Sequence, residues 1–166
     1  MAIDAFFCGF AVGTVDSDGR TRLPPFVLRV LQRRCRTSQL IFGSHEIAPC
    51  INAYDEGYEA VLYADIERRR LREESAGIPA AVHHSRVRRT FGLAEMAGFD
   101  PDGGVALPPM MRRRGRIGRL ALFIGVGGSF EIWNPALARA ADDAQLRELT
   151  EFAFFDAAPG EEEEVP

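Results

Sequence analysis

Lysine is absent from this chain, because all 20 of its basic residues are arginine. A GC-rich genome would explain such a bias without any functional reason. Arginine also presents a planar fork of donors, which matches guanine edges and phosphate oxygens better than a lysine ammonium does. Both interpretations remain open on composition alone, so the absence of lysine permits nucleic-acid binding without establishing it.

Cysteine is scarce, and its three positions have neither an even count nor a paired spacing: Cys8, Cys35 and Cys50. A disulfide framework or a zinc site needs better spacing, so these residues are expected to be small buried hydrophobes. His83-His84 lacks a partner at metal-ligand spacing. Asp100-x-Asp102-Gly103 resembles part of a calcium loop, but no bidentate acid follows where one is required. We therefore expect no metal and no cofactor.

Long apolar runs are also missing. No run reaches the roughly 18 residues of a membrane span. The segment Met1–Phe7 has no basic n-region and no long apolar region, so no secretory signal is expected. The predicted location is the cytoplasm, with no membrane partner.

Charge is divided unevenly along the chain. Up to Ala140 there are 19 arginines and 15 acids, a net charge of +4, whereas from Ala141 one arginine faces nine acids, a net charge of −8. The body is thus mildly basic and the C-terminal part acidic. Residues 156–166 have the composition of a disordered tail.

A turn motif is present twice. Val15–Pro25 has the pattern of a strand, a tight turn at Ser17-Asp18-Gly19, a return strand and a proline-led helix. The same frame recurs 84 residues later in Phe99–Pro109. The matched positions are Asp16 with Asp100, Asp18 with Asp102, Gly19 with Gly103, Leu23-Pro24-Pro25 with Leu107-Pro108-Pro109, and Arg20 with Gly104.

The apolar spacing predicts helices between and after these motifs. The first helix begins at Pro25 and is expected to point Arg29, Arg33 and Arg34 outward. Asp55 is predicted to cap a helix that extends to about Glu74, with an apolar stripe at Tyr58, Leu62, Ile66 and Leu71. A shorter helix over residues 80–90 should turn Val82 and Val87 inward. One last helix is expected to extend from Asn134 or Pro135 as far as Phe155.

Strands predicted around both motifs give two copies of strand–turn–strand–helix–strand–strand, a duplicated α+β unit. One copy of roughly 50 residues is marginal alone, so the two copies are expected to pair. The predicted divisions are a first repeat at 5–55, a helical linker at 56–92, a second repeat at 93–140, and a C-terminal helix with an acidic tail at 141–166.

On these residues the chain resembles the MraZ family, whose repeats belong to the AbrB-like (SpoVT/AbrB) DNA-binding class. The carrying motifs are Asp16-x-x-Gly19-Arg20 with Leu23-Pro24, Pro49-Cys50 through Tyr54, Asp100-x-x-Gly103 with Leu107-Pro108, and Val126 with Phe130-Glu131-Ile132-Trp133. The resemblance covers about residues 5 to 140. It implies an α+β fold in which two swapped-hairpin repeats form a small β-barrel core.

The resemblance also implies a function. Proteins of this family are expected to regulate transcription from the promoter of a bacterial division and cell-wall gene cluster. They would bind short G-rich direct repeats in double-stranded DNA as rings of identical subunits, in the nucleoid. The arginine of the D-x-x-x-R turn is central to DNA contact, which maps onto Arg20. Asp16, Gly19, Asp100 and Gly103 would hold the turns.

Two features depart from the family pattern. Gly104 stands where members commonly have a second arginine, so the second turn cannot make the same base contact. The acidic tail would repel phosphates if it lay near the site. We therefore predict that Arg20 contacts guanine and that other arginines contact phosphates: Arg22, Arg29, Arg33, Arg112, Arg113 and Arg114. The alternative for Arg20 is a surface arginine paired with Asp16 or Asp18, and for residues 112–116 a solvated helix face.

Two other functional classes are alternatives to a DNA-binding regulator. An enzyme could use Asp16 and Asp100 as an acid dyad, but no nucleophile, metal cluster or phosphate loop accompanies them, so no catalysis is expected. The other alternative is an oligomeric scaffold or degenerate paralogue that has lost DNA binding, which Gly104 favours. Arg68-Arg69-Arg70 lies among acids and is expected to be a solvated face.

Overall fold

The computed structural model describes residues 5–157, which form an α+β fold. The strands are β1 (Phe10–Thr14), β2 (Arg20–Arg22), β3 (Gln39–Ser44), β4 (Ile51–Tyr54), β5 (Glu95–Gly98), β6 (Gly104–Ala106), β7 (Leu120–Gly125) and β8 (Phe130–Trp133). The helices are α1 (Pro25–Arg34), α2 (Glu56–Ser75), α3 (Ala80–Val87), α4 (Pro109–Arg114), α5 (Pro135–Arg139) and α6 (Ala144–Ala157), and a π-helical turn (Arg88–Gly92) follows α3. The predicted fold class is confirmed.

The two repeats interlock, because their strands pair mainly with each other. One six-stranded sheet has the order β1-β7-β8-β4-β3-β5, and β2 and β6 form a separate two-stranded ribbon. In four of these ladders, β1–β7, β2–β6, β3–β5 and β4–β8, one strand comes from each repeat. Within residues 5–157 the ladders form this sheet and ribbon and do not close into one continuous barrel.

Both repeats supply the main core. Its buried side chains include Val27 and Leu31 from α1, Phe42 from β3 and Phe123 from β7. A smaller apolar cluster, around Trp133, packs the outer face of β7 and β8 against α5 and α6. Neither repeat encloses the main core alone, which fits the expectation that a unit of this size needs a partner.

Proline and asparagine set the starts of the short helices. Pro25 and Pro109 occupy the first turns of α1 and α4, where a missing backbone N–H costs nothing. Asn134 caps α5, since its side-chain oxygen accepts from the N–H of Ala136 at 2.8 Å. Among the described residues, no helix is both long enough and apolar enough to cross a bilayer.

Four predictions about side-chain orientation are wrong. Cys8, which was expected to be buried, is exposed. Leu71 of α2 and Val82 of α3 are exposed, because this helical pair protrudes and packs only a narrow strip around Ile66 against the body. Arg34 was expected to point outward, but its side chain is 8% exposed and its Nη2 lies 2.5 Å from the Asp55 carboxylate. It also donates to the carbonyls of Ala5 and Gly128. Asp55 precedes α2 but makes no side-chain cap bond, since Arg34 takes its carboxylate.

The predicted last helix is divided in two. It breaks after Arg139, and Asp143 starts α6 by accepting from the backbone N–H groups of Gln145 and Leu146 at 3.0 and 3.2 Å. The local signal was an aspartate pair ahead of an apolar residue, which is typical of a helix N-cap. The acidic tail predicted for 156–166 lies almost wholly outside the described residues.

A charged network holds the helical pair to the loop between β3 and β4. Arg86 of α3, buried at 7% side-chain exposure, donates to Glu73 of α2 at 2.7 and 2.9 Å and to Glu46 of the loop at 3.5 Å. Arg69 of α2 donates to Glu46 at 2.8 Å and to Glu73 at 3.1 Å. Two arginines and two glutamates thus neutralise one another.

This network lowers the pKa values of both glutamates. Burial raises the pKa of the Glu46 carboxyl, but the hydrogen bonds and charges of Arg69 and Arg86 outweigh burial, so the pKa lies below its ordinary value. The hydrogen bond from Arg86 is the main cause of the lowered pKa of Glu73. The same pairing raises the pKa of Arg86. All three groups therefore remain charged at neutral pH.

Candidate nucleic-acid interface

The first turn, Asp16–Arg20 (turn 1), is held by its own aspartate. Asp16 Oδ1 accepts from the backbone N–H groups of Asp18 at 3.0 Å and Arg20 at 2.8 Å. The N–H of Gly19 donates to the Asp16 carbonyl at 3.0 Å, and Gly19 has a φ of +81°, which glycine adopts without steric cost. These bonds fix the backbone from which the Arg20 side chain projects.

The second turn, Asp100–Gly104 (turn 2), has the same frame. Asp100 Oδ1 accepts from the N–H groups of Asp102 at 3.0 Å and Gly104 at 2.8 Å, and Gly103 has a φ of +86°. A Cβ added to Gly104 would lie 2.4 Å from Asp100 Oδ2, so any side chain there requires that oxygen to move. Turn 2 therefore preserves the backbone of turn 1 and lacks its arginine.

The two turns lie at opposite ends of the β2–β6 ribbon. The N–H of Leu107 donates to the carbonyl of Gly19 at 2.9 Å, and the N–H of Leu23 donates to the carbonyl of Gly103 at 2.8 Å. Each turn is thus bonded to the strand that leaves the other turn. Asp16 and Asp100 do not meet as the acid dyad that the enzyme alternative required.

One face of the ribbon points away from the core, and two of its four residues are arginines. Arg20 pairs across the ribbon with Ala106, and Arg22 pairs with Gly104, while Thr21 and Val105 between them are buried. Because strand side chains alternate, both arginines share the outer face with two small residues. The sequence predicted both arginines, but their alignment opposite Gly104 and Ala106 follows only from the pairing of the two repeats.

Among the side chains of residues 5–155, the Arg20 guanidinium has no carboxylate partner, although Asp16 and Asp18 are its neighbours in sequence. Asp16 instead binds the turn backbone. The arginines of α2 behave differently, since Arg68 and Arg70 both form ion pairs with acids of their own helix. The expectation of a solvated, neutralised face holds for α2, and the paired-surface alternative does not describe Arg20.

A groove of about 470 Å³ lies between turn 1 and α4. Its lining is mainly basic and apolar: Asp18, Leu107, Pro109, Arg112, Arg113, Arg116 and Ile117. Arg116 was not among the predicted contacts, although it belongs to the same basic run. It adopts a φ of +52°, and its carbonyl accepts from Asn134 Nδ2 at 2.7 Å.

Arg112 is turned toward the protein. Its Nη1 donates to the carbonyl of Ser17 at 3.2 Å, its Nη2 to that of Asp16 at 3.4 Å, and its Nε to that of Ile117 at 3.4 Å. Arg113, the next residue, is exposed and borders the groove. Of these two predicted phosphate contacts, the structure leaves the guanidinium of Arg113 the more accessible.

The other predicted contacts are dispersed. Arg114 lines a different depression, with His45 and Cys50, on the side of α4 facing the β3–β4 loop. Arg29 and Arg33 are exposed on α1. Their helix packs below turn 2, where Leu28 Cδ2 lies 3.3 Å from the position that a Cβ added to Gly103 would occupy. The structure therefore groups Arg20, Arg112, Arg113 and Arg116 at one end of the ribbon.

The chemistry available at this end is that of hydrogen-bond donors and positive charge. A guanidinium that projects from a fixed backbone and has no acidic partner can donate two parallel bonds to one planar acceptor pair, and flanking arginines can neutralise phosphates. In the described part of the chain, no three His, Cys, Asp or Glu side chains are grouped as metal ligands would be.

Similar proteins share one description. A protein from Syntrophobacter fumaroxidans described as "Transcriptional regulator MraZ" is 30% identical over 132 residues, which cover 79% of this chain and 81% of the relative. Proteins with the same description from Rhodospirillum rubrum and Ralstonia pickettii are 29% and 26% identical, covering 81% and 89% of this chain and 83% and 99% of their own lengths. No protein-family model matches the chain.

Proposed function

The chain belongs to the MraZ family of transcriptional regulators, and from that premise we propose that it binds double-stranded DNA sequence-specifically, with turn 1 making the base contact. It is a regulator of transcription and not an enzyme. The observation that carries the proposal is the Arg20 side chain, which projects from a backbone fixed by Asp16 and has no acidic partner among the side chains of residues 5–155.

The proposed base contact is a forked one. The major groove of B-DNA admits a two-stranded ribbon, and a guanidinium placed there can donate to O6 and N7 of one guanine. Such a pair contributes about 1–3 kcal/mol of discrimination between bases. The flat β6 side of the ribbon, with Gly104 and Ala106, leaves room for close approach.

Phosphate contacts would come from the arginines around this end of the ribbon. Arg22 shares the ribbon face, and Arg113 and Arg116 border the groove beside turn 1. Each would add sequence-independent, salt-dependent affinity. Arg29, Arg33 and Arg114 lie farther from turn 1 along the surface, so we propose that they act only on a duplex extending beyond the ribbon.

The family resemblance supplies the finer part of the proposal. Subunits joined in a ring would place identical turns along a duplex that carries short G-rich direct repeats, and avidity would raise the affinity of a weak single contact. The proposed target is the promoter of the chain's own division and cell-wall gene cluster, in the nucleoid.

The experiment begins with selection of binding sequences from a randomised duplex pool by the wild-type protein. Titration of the selected duplex and of a scrambled duplex then compares wild type with Arg20→Ala. We expect Arg20→Ala to lose about 5–150-fold in affinity for the selected duplex and little for the scrambled one. Arg68→Ala removes the same charge from an ion-paired site and is the matched control. Equal affinities of Arg20→Ala and wild type would refute the base contact.

A second candidate is an oligomeric scaffold that has lost DNA binding, and Gly104 is the observation that favours it. In that case selection would enrich no sequence, even at low salt, while the protein stayed folded and oligomeric. Size-exclusion chromatography with light scattering on the same preparation measures the assembly, so the two candidates predict different results from one set of samples.

A further inference from the structure

Equivalent positions on α1 and α4 support the two turns with different chemistry. Residues 28 and 112 are 84 positions apart, the same offset that relates turn 1 to turn 2. Because the repeats are interlocked, α1 lies beneath turn 2 and α4 beneath turn 1. Leu28 contacts the Gly103 region of turn 2, and Arg112 contacts the Gly19 region of turn 1.

Arg112 binds turn 1 through hydrogen bonds, which Leu28 cannot do for turn 2. The Arg112 guanidinium donates to the carbonyls of Asp16 and Ser17, while its Nε donates back to Ile117, just beyond α4. A Cβ on Gly19 would lie 3.0 Å from Arg112 Nη1, so glycine at this position also keeps room for the guanidinium. Turn 1 is thus tied from outside as well as by Asp16.

We propose that Arg112 is a positioning residue for DNA recognition, which sets the orientation of turn 1 so that Arg20 meets its base. This proposal rests on the proposed function of Arg20. It assigns Arg112 a role different from a phosphate contact, because three of its donors already bind carbonyls of the protein. A guanidinium holds its donors in one rigid plane, so it fixes the spacing of the two turn carbonyls relative to α4.

The difference between the turns agrees with this role. Turn 2 has no arginine to aim, and an apolar contact from Leu28 is sufficient to pack it. Turn 1 carries an exposed side chain whose tip must reach a base, and a small rotation of the turn would displace that tip from the guanine edge. The hydrogen-bonding support is found at the turn that carries the arginine.

Arg112→Leu tests the proposal, because it gives turn 1 the support that turn 2 has. We expect about a tenfold loss of affinity for the duplex selected by the wild-type protein, within the range of one bidentate base contact, and little change for a scrambled duplex. In the Arg20→Ala background the same substitution should have almost no further effect, since a positioning residue acts through the residue it positions.

Salt dependence separates positioning from phosphate contact. Log affinity falls as log salt rises, and removal of one phosphate contact makes this fall less steep by about 0.9. We expect this change for Arg113→Ala. Arg112→Leu should leave the slope of wild type unchanged. Thermal unfolding checks each variant, and Arg112→Gln, which keeps an amide donor, replaces Arg112→Leu if the latter does not fold.

Three results would overturn the proposal. They are full DNA affinity in folded Arg112→Leu, a salt dependence as shallow in Arg112→Leu as in Arg113→Ala, and a loss of binding free energy that adds fully to the loss caused by Arg20→Ala. Failure of the proposed function has a different signature, since Arg20→Ala itself would then bind like wild type. The two failures are therefore distinguished by one set of five proteins: wild type, Arg20→Ala, Arg112→Leu, the double variant and Arg113→Ala.

Discussion

Turn 1 and turn 2 have the same backbone and different surfaces. In each, one aspartate oxygen accepts two N–H groups at 3.0 and 2.8 Å, and a glycine with positive φ closes the turn. Their sequences differ at the second position, Ser17 or Pro101, and at the fifth, Arg20 or Gly104, and the side chain below differs as well. The hydrogen-bonded turn backbone is therefore part of the architecture of both repeats. The proposed DNA contact depends on the arginine that turn 1 alone carries.

The largest expected effect on DNA affinity comes from exchanging the fifth residues of the two turns, Arg20 and Gly104. Arg20→Gly is expected to lose about 5–150-fold in affinity for the selected duplex, and Gly104→Arg in the same chain should restore part of it. The new side chain requires the Asp100 carboxylate to rotate so that Oδ2 moves away. The turn allows this, because in turn 1 the Asp16 carboxylate makes the same two hydrogen bonds although Arg20 has a Cβ. Titration by fluorescence anisotropy measures the three proteins.

Gly104→Arg alone is the control for added charge. If the exchanged protein folds and recovers no affinity, residue 104 is not the difference that matters, and the support below the turn becomes the next candidate.

Removal of each aspartate should have the next largest effect. Asp16→Ala and Asp100→Ala should each lower the free energy of unfolding by about 1 kcal/mol, because each leaves two turn N–H groups without their acceptor. Only Asp16→Ala should also weaken DNA binding, since only turn 1 carries the arginine. Urea denaturation and duplex titration give the two readouts. Asp102→Ala is the control, and equal DNA effects of the two aspartates would end the functional distinction between the turns.

The smallest expected effect is on the stability of the folded protein at low pH. It distinguishes arginines that pair with a carboxylate from arginines that do not. The pKa values of Glu46 and Glu73 are lowered from their ordinary value in the folded protein, so their contribution to stability is present above the unfolded-state pKa and is lost as the pH falls through the folded values. Glu73→Gln should flatten the fall in the urea midpoint between about pH 5 and pH 3.

Arg20→Ala should instead follow the acid profile of wild type, because Arg20 has no carboxylate partner among the described side chains, those of residues 5–155. A profile for Glu73→Gln that coincides with wild type would exclude the network as a source of acid sensitivity. An altered profile for Arg20→Ala would show that turn 1 has an acidic partner in solution.

Much of the local structure was predictable because its causes are local. Ser17-Asp18-Gly19 determines a turn, Pro25 favours a helix start, and the recurrence of both 84 residues later revealed the duplication. The family resemblance then added the swapped arrangement. The turn, the helix start and the duplication need only neighbouring residues or the spacing of one motif from its copy, whereas the swapped arrangement is what the resemblance implies.

The side-chain partners were not predictable, because they come from distant parts of the chain. Arg34 is buried because Asp55, Ala5 and Gly128 meet it in the folded protein. Arg112 is one of three consecutive arginines, and no sequence pattern distinguishes the one that binds Asp16 and Ser17. A basic run predicts a charged surface, whereas the packing of α4 beneath turn 1 determines which of its arginines faces the protein.

The interlocked strands also determine when the protein can fold. Strand β1 pairs with β7, as Phe10 with Ile124, and β2 pairs with β6, as Arg20 with Ala106. Contacts between residues so far apart in sequence must overcome the entropy of closing a long loop, which slows folding. On the ribosome, β1 and β2 must wait for the second repeat to be synthesised before they find these partners. Synthesis of the second repeat is thus the step that commits the chain to its native sheet.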